Sequence, residues 1–237
     1  MRRYVIGDIH GCAKALRTVI ETIDPTKEDE LIFLGDYVDR GPNSRDVIQQ
    51  ILELKGQCKI IPLRGNHELM LLGVLVGGLD DKLWIENGGV STVSSYGGSL
   101  SKIPNSHLDF LQSLQPFHET SDSIFVHAGY DPHQEIQEQD QAITYWNHLP
   151  EILPPPHQSG KRVFVGHTPQ ANGNVLDGGH LVCVDTYCFG GGYLTAFETL
   201  TCEIIQADRH GHLRRAPLQR IASNLQKILK RWRKQDS

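Results

Sequence analysis

Five short polar motifs punctuate the chain, and each follows an apolar run of strand length. They are Gly7-Asp8-Ile9-His10-Gly11, Gly35-Asp36-Tyr37-Val38-Asp39-Arg40-Gly41, Gly65-Asn66-His67-Glu68, His127-Ala128-Gly129 and Gly166-His167. An apolar run such as Leu31 to Leu34 buries itself, and the carboxylate, amide or imidazole that follows is left at the strand end. A fold that satisfies all five must gather several strand ends in one place. Helical patterns separate the first three. Ala15, Leu16, Val19, Ile20 and Ile23 share one face, as do Val47, Ile48, Ile51 and Leu52 after Ser44, which reads as an N-cap. This β-α-β-α-β-α rhythm predicts an α/β fold with neighbouring parallel strands.

The second half is strand-rich. Ile124 to Val126, Val163 to Val165, Leu181 to Val184, Tyr193 to Glu198 and Glu203 to Gln206 read as strands, the last two as an antiparallel hairpin. Between the halves, the glycine-rich stretch 73–118 reads either as a cap-like insertion over a site or as a helical insertion in the core. With no internal repeat, residues 1–207 are expected to form one domain, and 208–237 a basic helical extension.

Composition narrows the partners. The hydrophobic fraction of 39% supports a substantial core, and the five cysteines form no C-x-x-C pair. A disulfide framework or structural zinc site is therefore not expected, which fits a reducing cytoplasm. The longest apolar run, Met70 to Leu79, falls far short of the roughly 20 residues of a membrane span, and Asp8 interrupts any signal-peptide pattern. The net charge of −5 is uneven. From Arg209 onward there are nine Lys and Arg against the single acid Asp236, leaving 14 basic and 27 acidic residues elsewhere. Such an acidic body argues against a nucleic-acid partner. In the extension, Leu218, Ile221, Leu225, Ile228, Leu229 and Trp232 fall at helical spacing among Lys and Arg residues. That helix is expected to dock on the acidic body, or to meet an anionic membrane surface or a partner.

The motif residues themselves suggest metal chemistry. Asp8 and His10 face one side if that segment is extended, with Ile9 turned to the core. A mixed carboxylate–imidazole set suits manganese, iron or zinc better than magnesium or calcium, although a surface Asp and His at a strand end would look the same. Asp36 has two carboxylate oxygens and can bridge two cations roughly 3.5–4 Å apart. One ion would then take Asp8, His10 and Asp36, and the other Asp36, Asn66, His127 and His167. Both shells keep open positions for water and substrate. A metal-bridging hydroxide attacking phosphorus needs no phosphoenzyme, so Cys12 reads as a packing residue.

On these motifs, in this order, the chain resembles the metallophosphoesterases of the serine/threonine protein phosphatase type, in particular small bacterial members related to diadenosine tetraphosphate hydrolases. The resemblance runs from Arg2 to about Gln206 and includes Trp84 to Gly89 and Ser95-Tyr96-Gly97. It implies an α/β, metallophosphatase-like sandwich of two mixed β-sheets flanked by helices, holding two divalent ions, manganese or an iron–zinc pair. Asp8, His10, Asp36, Asn66, His127 and His167 fall on the family's metal ligands. His67 falls on its proton donor, Asp39 on the partner of that histidine, and Arg40 with Asn66 on phosphate contacts. A second phosphate-binding arginine is expected between the His127 and His167 motifs. The corresponding stretch is Tyr145-Trp146-Asn147-His148, so His148, Arg162 or Arg64 would have to serve instead. Tyr187-Cys188 resembles a pair in the site wall. Asp39 after Val38 and Glu68 after His67 favour a protein phosphatase acting on phosphoserine, phosphothreonine or phosphotyrosine in a phosphoprotein or phosphopeptide. The alternative is a bis(5'-nucleosyl)-tetraphosphate hydrolase.

Overall fold

The computed structural model describes residues 1–214, and the helix expected over Leu218 to Trp232 lies outside them. Strands β1 (Arg3–Ile6), β2 (Glu30–Phe33) and β3 (Lys59–Pro62) run parallel. They are joined by helices α1 (Ala13–Ile23) and α2 (Ser44–Glu53), as the alternating pattern predicts. Helix α3 (Asn66–Leu75) follows β3, and then come α4 (Asp81–Trp84), α5 (Val90–Ser95) and α6 (Asn105–Ser113). Strands β4 (Phe117–Glu119) and β5 (Ser123–Val126) precede α7 (Gln141–Trp146). The chain then forms β6 (Arg162–Val165), β7 (Leu176–Asp177), β8 (Leu181–Cys183), β9 (Tyr193–Glu198) and β10 (Ile204–Asp208).

These strands build two mixed five-stranded sheets, ordered β10-β9-β1-β2-β3 and β4-β5-β6-β8-β7. β9 and β10 form the expected antiparallel hairpin, with β9 also antiparallel to β1. β5, β6 and β8 are parallel at the centre of the second sheet, between the antiparallel edge strands β4 and β7. The period-two geometry of a strand explains why these segments are apolar on both faces. Val5, Ile32, Leu34, Ile61, Leu63 and Phe197 from the first sheet meet Phe125, Phe164 and Val182 from the second. Tyr4, Ile6, Leu31 and Phe33 instead face Leu16, Val19, Val47 and Ile48 on the helices. At about 1.5–3 kcal/mol for each fully buried large side chain, this inner layer is what clamps one sheet to the other.

Residues 73–118 contribute helices that pack on α2 and α3, burying Trp84, Tyr96, Phe110 and Leu111. They are linked to the motifs through Trp84 and Thr92, which reach Asp39, and through the Gly88 carbonyl, which accepts the Arg40 N–H. The N-cap of α2 is Asn43 rather than Ser44, whose hydroxyl instead accepts from the Asp39 N–H at 3.2 Å. Among the described residues no helix is long and apolar enough to cross a membrane.

Candidate active site at the strand ends

The carboxyl ends of the six parallel strands point the same way, and every polar motif lies there. Asp8 and His10 follow β1, Asp36 follows β2, His127 follows β5 and His167 follows β6. A crevice outside the carboxyl ends of strands is the usual ligand position in α/β sheets. Two local details differ from the sequence reading. His10 has φ 43°, so it reaches the site through a left-handed turn rather than by alternation along an extended segment. Asn66 is the first residue of α3 rather than the end of β3, with Gly65 as the N-cap.

Positive φ values recur at the motifs: Asp36, Asp39, Arg40 and His167 share them with His10. Each such non-glycine residue costs about 1–3 kcal/mol, so surrounding bonds must hold the backbone in place. Glu68 is the main clamp. Its two carboxylate oxygens accept backbone N–H groups from Gly65, Asp36, Tyr37 and Val38 at 2.8–3.2 Å. Gly65 itself has no room for a side chain, because a Cβ there would collide with the Asp36 carboxylate.

The histidines converge with defined tautomers. Nδ1 of His10 lies 2.9 Å from the Val38 carbonyl, and Nδ1 of His127 lies 2.8 Å from that of Leu34. A carbonyl only accepts, so both Nδ1 atoms carry the proton and both Nε2 lone pairs face inward. They meet Asp36 from opposite sides. His10 Nε2 is 3.4 Å from Asp36 Oδ2, while His127 Nε2 is 3.5 Å from Oδ1. Asn66 Oδ1 lies 3.0 Å from the same His127 nitrogen. In that orientation two acceptors face one another, an opposition that a cation between them resolves. The site thus contains two donor clusters that share Asp36: His10, Asp36 and His67, and Asp36, His127 and His167. Burial pushes His10, His127 and His167 below their ordinary values, which keeps their lone pairs available; His167 falls to about 3.

Asp8 sits beside this group rather than within either cluster. Its carboxylate accepts the His167 N–H at 3.1 Å, and a Cβ at Gly166 would occupy its place. Asp185, just beyond β8, is a neighbour that the sequence reading missed. Burial pushes Asp185 up to about 7, helped by the Asp36 charge, and burial with the Asp185 charge pushes Asp8 well up. Three buried carboxylates close together are costly without cations among them. Together with the inward lone pairs, this donor set fits divalent ions.

His67 is placed differently. Its Nδ1 lies 2.7 Å from Asp39 Oδ2, and its Nε2 is buried with no hydrogen-bond partner. Asp39 is in turn held by Trp84 Nε1–H at 2.8 Å and Thr92 Oγ1–H at 2.6 Å. Burial pushes the His67 imidazole down, but the Asp36 and Asp39 carboxylates outweigh it, so its value is raised. Arg40 Nη1 donates to His10 Nε2 at 3.0 Å, and its guanidinium lies over the Phe189 ring at 4.6 Å. Phe189, another wall residue missed in the sequence, packs edge-on against His10 and Tyr187. Of residues 187–189 it is Phe189 that touches a motif residue, with Tyr187 packed behind it and Cys188 buried.

The expected second arginine is not replaced by Arg162 or Arg64. Arg162 pairs with Asp177, and Arg64 donates to the Gln112 and Leu114 carbonyls. His148 does border the site, stacked on His167 with ring centroids 4.6 Å apart, but it is exposed.

The calcineurin-like phosphoesterase model matches residues 1–192 of this sequence. The chain belongs to that family. As a calcineurin-like phosphoesterase it is an enzyme of a class that uses divalent metal ions. Among curated relatives, a symmetrical bis(5'-nucleosyl)-tetraphosphatase of Legionella pneumophila (strain Corby) is 48% identical over 79 residues, 33% of this chain and 28% of the relative. One from Coxiella burnetii (strain Dugway 5J108-111) is 31% identical over 163 residues, 65% of this chain and 50% of the relative. This phosphoesterase thus spans half or less of the length of those relatives. Solved structures share its fold. A candidate diadenosine tetraphosphatase has a TM-score of 0.64 at 22% identity, covering 87% of this chain and 92% of that one. A cold-active protein-tyrosine phosphatase of Shewanella has a TM-score of 0.62 at 16% identity, covering 90% and 79%.

Proposed function

We propose that this phosphoesterase hydrolyses dinucleoside polyphosphates, cutting a P–O–P bridge to release nucleotide products. The observation that carries the hydrolytic reading is the division of the Asp36 carboxylate between His10 and His127, which makes one residue common to two ligand sets. The substrate reading follows the relatives that share sequence, which are named as symmetrical tetraphosphatases. The protein-phosphatase expectation leaned partly on Glu68. That side chain is turned onto four backbone N–H groups, which gives it a structural role.

Asp8, His10, Asp36, Asn66, His127 and His167 would hold two divalent ions, with manganese suited to their mixed oxygen and nitrogen donors. Bound there, the ions would supply Lewis acidity, an acidified water and charge neutralisation at phosphorus. The remaining steps belong to the chain. Arg40 presents a planar guanidinium to the phosphoryl oxygens, with Asn66 and His148 at the edge of the same space. Water adds to phosphorus, releasing a proton to solvent, as the bridging P–O bond breaks, and His67 as imidazolium gives its Nε2 proton to the departing oxygen. Asp39 keeps the opposite ring nitrogen protonated and fixes the plane of the ring.

The test is a manganese-supplemented assay of diadenosine tetraphosphate beside phosphopeptides, repeated after chelation. Hydrolysis of the tetraphosphate that vanishes with chelator and returns with metal is the expected result. Turnover of phosphopeptides alone would refute the nucleotide reading and return the chain to the phosphoprotein class.

A further inference from the structure

A cavity of about 280 Å³ opens beside the catalytic centre, on the far side of Arg40. It is lined by Lys14, Arg40, Pro42, Phe189, Arg209 and His210, with backbone from Gly11 to Cys12 and Gly41 to Asn43. Two walls are shared with the centre. Arg40 reaches His10 at 3.0 Å, and the Phe189 ring packs 4.9 Å from the His10 ring. Arg40 and Phe189 thus border both the centre and the cavity.

Its charge is one-sided. Lys14, Arg40 and Arg209 are permanent cations, and no acidic residue lines the cavity. None of the three makes an ion pair among the described residues. In a protein of net charge −5 this is a local reversal of sign. The first turn of α1 borders the same space, with no acidic residue in it and no side chain capping it, so its N–H groups add positive potential. The volume lies just below the roughly 300–1,000 Å³ of pockets that enclose drug-sized ligands. It has room for one or two phosphoryl groups.

We propose that this cavity is a second phosphate subsite, in which Lys14 and Arg209, with Arg40 shared, hold the phosphoryl groups next to the scissile one. The proposal rests on the polyphosphate reading of the substrate and specifies it. The enzyme selects consecutive phosphates over monoesters, and the cations supplying that selectivity lie on the α1 side. This also supplies positive charge that the missing arginine between the His127 and His167 motifs does not.

Inorganic tripolyphosphate is the probe, titrated calorimetrically into the full-length protein in the presence of chelator, so that binding is read without turnover. Lys14 and Arg209 are both exposed, so Lys14→Ala with Arg209→Ala leaves the core intact. Losing two charge-assisted contacts at a partly solvated site should weaken binding by about 30-fold. The control is Lys27→Ala with Lys55→Ala, which removes the same charge from exposed positions that do not line the cavity and should change binding by less than about twofold. Equal weakening in both double variants, or none in the first, overturns the subsite. With metal restored, the ratio of kcat/KM for diadenosine tetraphosphate to that for nitrophenyl phosphate should fall about tenfold in the cavity variant. If wild-type protein fails to cleave the tetraphosphate, the functional reading falls while the tripolyphosphate titration still decides the subsite.

Discussion

Replacing His67 by alanine tests the division of labour in the site most directly. The imidazole is 1% exposed, holds Asp39 at 2.7 Å through Nδ1 and leaves Nε2 without a partner in the site. Its removal takes away one proton donor, while Asp36, His10 and His127 keep their own backbone contacts. A positioned general acid is worth about 10²–10⁴-fold in rate, or about 2.7–5.5 kcal/mol of barrier at 1.36 kcal/mol per factor of ten. That full amount is needed only when the departing oxygen is strongly basic. The assay is kcat/KM for a series of aryl phosphates from nitrophenyl to unsubstituted phenyl, with metal in excess. In the wild type the dependence on leaving-group basicity should be shallow, because His67 neutralises the departing oxygen. In the variant it should steepen, with nitrophenyl phosphate losing least and phenyl phosphate approaching the full loss. Diadenosine tetraphosphate, whose leaving group is a weakly basic nucleotide phosphate, should behave like the nitrophenyl ester. A uniform loss with an unchanged slope would refute proton donation and make His67 a residue that only shapes the site.

Two further outcomes follow from the contacts. Trp84→Phe keeps the buried ring but removes the Nε1–H donor to Asp39. It should lower kcat about tenfold, as loss of a supporting hydrogen bond does at comparable sites, and steepen the aryl phosphate slope part of the way toward that of His67→Ala. Asp29 accepts from the Arg2 backbone and side chain and from Thr26, and the Arg2 bond, against the opposing effect of burial, holds its carboxyl below the ordinary value. Its depressed value adds stability above about pH 4 that is lost as pH falls through the folded-state value. Asp29→Asn should therefore cost about 1–2 kcal/mol in denaturant melts at pH 7, with the two proteins converging in acid. A constant difference down to pH 2 would contradict that linkage.

Much of this molecule was legible in its residues because the driving patterns are local. A strand buried on both faces is mostly apolar, so β1, β2, β5, β6 and β8 stand out, and the polar residues that follow most of them mark where they stop. The hairpin of β9 and β10 and the helical faces of α1 and α2 follow from periodicities of two and 3.6 residues. The gathering of Asp8, His10, Asp36, Asn66, His67, His127 and His167 into one crevice also follows, once parallel strands are aligned. Helix α2 was legible too, but its cap was misplaced, because Ser44 bonds toward Asp39 in the loop after β2 and Thr92 in α5.

Other features depend on contacts between distant segments. Asp185 lies in a stretch with no ligand-like spacing, and only the close packing of Gly7 on the backbone of Val184 and Asp185, between the two sheets, sets it beside Asp8. Glu68 is three residues from Gly65 in sequence, yet its weight comes from binding the loop after β2, 30 to 32 residues earlier. Trp84 and Thr92 steady Asp39 across 45 and 53 residues. The sequence by itself determined the α/β alternation and the inventory of reactive groups, because burial and backbone periodicity act between near neighbours, while the family and its two-sheet sandwich followed from the resemblance of the ordered motifs. Tertiary structure alone decided which oxygen of Asp36 faces which histidine, that Glu68 clamps the loop after β2, and where the cationic cavity opens. Those outcomes depend on directions and distances between chain segments that share no local signal.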